Sequence, residues 1–302
     1  MSPVVTRTIL YTIVLAMGYT GKRAGLFRTS DSRFLSSLIL YITLPCAIVE
    51  GFQGVTLSPA LAASFGVGLA ANLLLLVAGL VVSARKQPSQ RAFFALNTSS
   101  YNIGNFAMPF LTGLLAADGF AAMCMFDIAV AMMTYGVNVA VADGLMGSGK
   151  PFSLKPMLKK IFTTPTFLVY LLLIALSLLH LELPGLVREV TGLAGGANAF
   201  LAMLSIGILF DIKLPKTGLK DLVLLLVTRY GLKFAMAFGM LLLPFPAAIR
   251  QGLAVVLVAP IASSAPLLTE NAGADGKLAA VANSLSIPLS ILSMSLMLSI
   301  AS

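Results

Sequence analysis

Residues 109–119 read PFLTGLLAADG, and 157 positions further on residues 266–276 read PLLTENAGADG. The two stretches agree at Pro, Leu, Thr, Ala, Asp and Gly in one constant offset, which is how an internal repeat first shows itself. The same offset sets Thr56-Leu57-Ser58 against Lys213-Leu214-Pro215. Chance likeness between apolar segments is the plain alternative. The shared Asp-Gly turn and the layout of the segments around it argue for a true repeat.

Working outward from these motifs, the chain has 302 residues, 58% of them apolar and 10% charged, with a mean hydropathy of +0.97. Soluble domains carry about 25% charged residues, so this chain is built for lipid. Its apolar residues gather into runs of the length a helix needs to cross a bilayer, about 20 residues, and not into the short alternating strands of a barrel. Apolar runs and their punctuation predict helices near 3–20, 34–54, 60–83, 91–116, 119–142, 164–182, 186–210, 222–243, 248–270 and 277–300. The first run holds Arg7 and lacks a small-residue cleavage site before Gly21-Lys22-Arg23, so it is expected to stay as a helix. A hydrophilic connection, 143–163, divides the chain into 1–142 and 164–302, five helices each. Five crossings put the second half upside down relative to the first, the inverted-repeat layout of many secondary transporters.

The basic residues test this count. Fifteen fall in alternate connections, from Lys22, Arg23, Arg28 and Arg33 at one end to Lys277 at the other, with Lys150, Lys155, Lys159 and Lys160 in the middle. Only Arg7, Arg188 and Arg250 fall on the opposite side. By the positive-inside rule both termini lie outside the cytoplasm, as expected for a multi-pass protein of the cell (inner) membrane. The net charge of +9 is thus dispersed over short loops, not clustered as a nucleic-acid footprint, and no nucleic-acid partner is expected. Cys46 and Cys124 lie inside apolar runs without metal or disulfide spacing, and His180 cannot form a zinc site or a hydrolase triad alone. No metal or cofactor is expected. Met123, Met125, Met132 and Met133 read as packing residues.

Two of the predicted helices should break. The fourth contains Asn97-Thr98-Ser99-Ser100-Tyr101-Asn102-Ile103-Gly104-Asn105-Phe106-Ala107-Met108-Pro109, too polar and too rich in Asn and Gly for a lipid-facing span. The ninth contains Ala259-Pro260-Ile261-Ala262-Ser263-Ser264-Ala265-Pro266, whose two prolines remove backbone donors. Counted at about 1.5 Å per residue from opposite faces, Asn102 and Pro260 both lie roughly 16 to 18 Å deep, so the breaks should meet near the midplane. Unwound backbone at that depth is tolerated only inside protein or against a water-filled cavity. Half-helix N-termini there would face an anionic group, with carbonyls and Asn or Ser side chains for a cation or hydroxyls. The binding reading names Asn102, Gly104, Asn105, Pro109, Pro260, Ser263 and Ser264. The competing reading is that prolines kink these helices while Asn, Ser and Thr glue neighbours.

These residues carry a resemblance. Leu40-Tyr41-Ile42-Thr43-Leu44-Pro45, Asn102 followed by Pro109, and Ala259-Pro260 followed by Glu270 together resemble the auxin efflux carrier family, especially its bacterial permease members, in order along nearly the whole chain. Ala107 departs from the Gly that many relatives place before the proline. The resemblance implies crossing of the fourth and ninth helices and elevator-like alternating access by a mobile unit of helices 3 to 5 and 8 to 10. It also implies an organic anion substrate and a homodimer formed through the static helices. The long cytoplasmic loop of plant carriers is missing, which weakens an assignment to auxin itself.

Two charges lie deep in predicted helices, Asp127 about 12 Å and Lys233 about 17 Å from the near faces. A charge at a helix centre costs at least about 2.5 kcal/mol, so the two are expected to pair beside the crossover. Such a pair is either a proton- or substrate-responsive switch, because loss of water disfavours both charged forms, or a permanent structural ion pair. Arg229, one turn before Lys233, is expected to snorkel toward the cytoplasm. The leading expectation is a permease for a small organic anion, proton-coupled or uncoupled. A sodium-coupled bile-acid-type symporter would call for an acid and a Gln at the second crossover, where Pro260, Ser263 and Ser264 stand instead. An intramembrane enzyme needs a nucleophile with a base or an acidic metal cluster, neither of which the sequence offers. A membrane sensor without transport remains the alternative of a different class.

Overall fold

The computed structural model describes residues 3–53, 55, 57–147, 154–210 and 218–301. Thr56, Lys150, Asp211 and the Lys213-Leu214-Pro215 arm of the repeat lie outside the described residues. Within them the chain is helical, without strands: α1 Pro3–Arg23, α2 Asp31–Gly51, α3 Pro59–Val82, α4 Pro88–Thr98, α5 over 103–111, α6 Ala117–Leu145, α7 Leu154–Phe162, α8 Pro165–Leu178, α9 Gly185–Gly196, α10 Asn198–Leu209, α11 Leu219–Leu241, α12 Ala247–Val256, α13 Ala265–Asn271 and α14 Gly276–Ile300. Among the described residues, seven helices are long and apolar enough to cross a membrane, α9 and α10 counting as one. The predicted eighth, tenth and third helices appear almost whole as α11, α14 and α3. The fourth and ninth are split into α4 and α5, and α12 and α13.

Local chemistry sets the boundaries. Ser58 caps α3 by accepting the Leu61 N–H at 3.1 Å, with Pro59 at the first helical position, where its missing donor costs nothing. Asp275 caps α14 through Leu278 N–H at 2.9 Å. Proline also shapes interiors: Pro45 and Pro109 each leave a carbonyl one turn back without a donor, and each is preceded by a π turn, Ile39–Thr43 and Ile103–Ala107, in which the next amide reaches back five residues instead of four. The repeat motif has matching local structure. Thr112 and Thr269 both donate their hydroxyls to the carbonyl four residues back, Met108 and Ala265, and each stands three residues after a proline, Pro109 and Pro266.

The core lies around α5, α6 and α12, where Phe106, Phe110, Phe126 and Met123 are fully buried. The apolar stretch of α6 is 67% buried against 11% for α1, so α6 is interior and α1 peripheral. Small residues let the inner helices touch. A methyl group on Gly252 of α12 would sit 2.9 Å from the Cα of Gly119 of α6, closer than real side chains come.

Candidate functional site

The stretch from Ser99 to Asn102 between α4 and α5 and the stretch from Leu257 to Ser264 between α12 and α13 touch: the Asn102 N–H donates to the Pro260 carbonyl at 2.9 Å. The Asn102 side-chain amide donates to Ser263 Oγ at 2.7 Å. Buried backbone groups must find partners when a helix opens, and here other helices supply them. From α14, Asn283 donates to the Ile261 carbonyl at 2.7 Å, Ser286 Oγ accepts the Ile261 N–H at 3.0 Å, and Ser290 donates to the Val258 carbonyl at 2.8 Å. From α11, Arg229 donates to the carbonyls of Asn97, Thr98, Ser100 and Ala259, and Lys233 Nζ also reaches Ala259.

Two corrections follow. Lys233 and Asp127 form no ion pair; among the described residues the ion pairs are Lys86 with Asp221 and Arg188 with Glu182. Lys233 is instead fully buried, with its ammonium group 3.7 Å from the centre of the Tyr101 ring. Carbonyl oxygens freed by the break, plus a π face, meet its charge in place of a carboxylate. Arg229 does not snorkel: it too is fully buried, because four carbonyls at the break bind its guanidinium. Asp127 accepts a hydrogen bond at 3.0 Å from the Tyr170 hydroxyl of α8.

Beside the crossover lies a cavity of about 180 Å³ whose lining includes Asn102, Gly104, Asn105, Ser263 and Ser264 of the crossover together with Asp127 and Thr134 of α6 and Tyr170 of α8. Tyr101 forms part of its wall and stands between the cavity and the two cations. The amides opening α5, at Ile103 and Gly104, have no carbonyl one turn back to bond and belong to the same lining. Of the sequence-predicted residues, Pro109 and Pro260 are buried outside the lining and act on backbone shape, and Lys233 lies behind Tyr101. A larger cavity, about 610 Å³, opens at the other end of α8 around Phe52, Leu173, His180 and Arg188, without contact to the crossover.

Residues 4–144 match the family model described as membrane transport protein. This match, over a little under half of the chain, supports the resemblance to the auxin efflux carrier family. A search of curated proteins gave no match. Together with the seven long apolar helices, the match supports an integral membrane protein similar to membrane transport proteins. Within the match lie Asn102, Gly104, Asn105, Pro109 and Asp127; Pro260, Ser263, Ser264 and Lys233 lie beyond it.

Several residues of the site carry little or no signal in the sequence. Tyr101 and Tyr170 gave no signal, since aromatic residues in apolar helices are ordinarily packing. Asn283, Ser286 and Ser290 did carry one: they recur at helical spacing in an otherwise apolar run, the mark of a polar stripe facing another element.

Proposed function

We propose that this protein is a membrane transporter, a secondary permease that carries a small organic anion by elevator-like alternating access around the crossover cavity. The observation that carries the reading is the meeting of the two breaks, Asn102 N–H to Pro260 carbonyl, beside a polar cavity. Neutral donors on Asn102, Asn105, Ser263 and Ser264, with the opening amides of α5, suit the oxygens of a carboxylate. At about 180 Å³ the cavity is smaller than sites for drug-sized ligands, roughly 300 Å³ upward, which favours a small metabolite.

The full architecture belongs to this proposal: ten membrane segments in two inverted halves, with the fourth and ninth broken, in the cell membrane with both termini outside. The static and mobile units then meet between α8 and α6, where Tyr170 bonds Asp127. Sodium is disfavoured, because the carbonyls that would hold it at the break already bind Arg229 and Lys233. Asp127, which lines the cavity, is the group available to couple a proton.

Flux of small carboxylates into vesicles containing the purified protein tests this. Wild type is expected to carry at least one, and Asn102→Leu to lose that flux while remaining folded, at a cost of about 1 kcal/mol for the lost hydrogen bond to Ser263. Normal flux by Asn102→Leu would put the site elsewhere.

A further inference from the structure

Charge is distributed unevenly in the cavity, and the imbalance bears on what fits it. Among the described lining residues, Asp127 is the one charged side chain. Its Oδ2 takes the Tyr170 hydrogen at 3.0 Å, whereas its Oδ1 accepts no hydrogen bond from any described residue. Lys233 and Arg229 are committed to backbone carbonyls behind Tyr101 and are fully buried. At the crossover end, Ser263 Oγ already accepts from Asn102, so its own hydrogen is left to donate, and Ser264 and Asn105 stand beside it. Two more lining hydroxyls, Tyr101 Oη and Thr134 Oγ1, are buried without a partner. The lining therefore combines neutral donors at the crossover with one carboxylate that no cation meets among the described residues.

We infer that the carried molecule is a small amino-carboxylate zwitterion, its carboxylate held at the crossover and its protonated amino group held by Asp127. This deepens the proposed function and rests on the reading that the crossover cavity binds a carboxylate. While Asp127 is ionised, a dicarboxylate would bring its second negative charge against it with no cation beside it, and a plain monocarboxylate would leave it without a counter-charge unless it took up a proton. The zwitterion meets both the neutral donors and the carboxylate, and a site with a buried charged acceptor discriminates strongly against ligands that fail to meet it.

The test uses the wild-type protein in vesicles and matched carbon skeletons: propionate, β-alanine and malonate, then butyrate, 4-aminobutyrate and succinate, with alanine as the α-amino case. The amino compound of at least one length is expected to move tenfold or more faster than the dicarboxylate and the monocarboxylate of that length. Asp127→Asn is expected to erase that preference. If a dicarboxylate or monocarboxylate leads at every length, the inference is overturned while carboxylate transport stands. If no compound moves at all, the proposed function falls and takes the inference with it. Should Asp127→Asn fold poorly, thermal stabilisation of wild type by the same compounds gives the same ranking, since a ligand stabilises in proportion to its binding. Retention of the amino preference by a folded Asp127→Asn would overturn the role of Asp127.

Discussion

A single hydroxyl separates an isolated carboxylate from a held one in this protein. Tyr170 is 1% exposed, and its Oη donates to Asp127 at 3.0 Å across the contact of α8 with α6. Hydrogen bonds to charged groups contribute about 1.5–3 kcal/mol, roughly twice those between neutral groups. Tyr170→Phe keeps the ring and its packing while deleting that bond, so it is expected to destabilise the purified protein by about that amount, read as a lowered thermal midpoint in detergent. An unchanged midpoint would mean that Asp127 is held some other way. Asn102 is the complementary case, because its backbone holds the crossing and its side chain holds Ser263. Its place at the break was legible from the run of Asn, Ser and Gly around it. The acceptor on Ser263 was not, because side-chain partners across 161 residues leave no trace in one sequence.

At the scale of elements, the breaks endure because α11 and α14 furnish the bonds that a continuous helix would make internally. Arg229 alone serves the carbonyls of Asn97, Thr98 and Ser100, which have no other side-chain donor among the described residues. Lys233 serves Ala259, which Arg229 also reaches at 3.3 Å. Each buried carbonyl left without a donor costs about 1–3 kcal/mol. Arg229→Met is therefore expected to abolish accumulation of folded protein, and Lys233→Met to lower stability while leaving a protein that can be purified. Size-exclusion profiles of the solubilised variants give the comparison, and the reverse order would refute this account of the break. The sequence reading set Lys233 deep in its helix but sought a carboxylate for it, and expected Arg229 to snorkel, whereas both are fully buried against the break. The partners are main-chain oxygens, which every sequence possesses and no motif marks.

For the whole molecule, the helical segments were legible from hydropathy and caps, and the breaks from proline and small polar residues. The shape of the cavity was not, because it depends on how α2, α5, α6, α8 and the stretch 262–264 come together. The proposed orientation rests on the uneven basic residues, and it is checked with exposed positions in a background lacking Cys46 and Cys124. Ala84→Cys is expected to react with an impermeant thiol reagent only from the cytoplasmic side, and Ala247→Cys only from outside. Labelling of both from one side would contradict the ten-segment layout. The most direct test of the central claim, that substrate is carried in the crossover cavity, places one cysteine on its wall. Ser264→Cys, in the same background, is expected to transport, to lose transport when its thiol is modified, and to be protected from modification by a carried substrate. Complete modification with transport intact, or modification that substrate does not slow, would contradict the account.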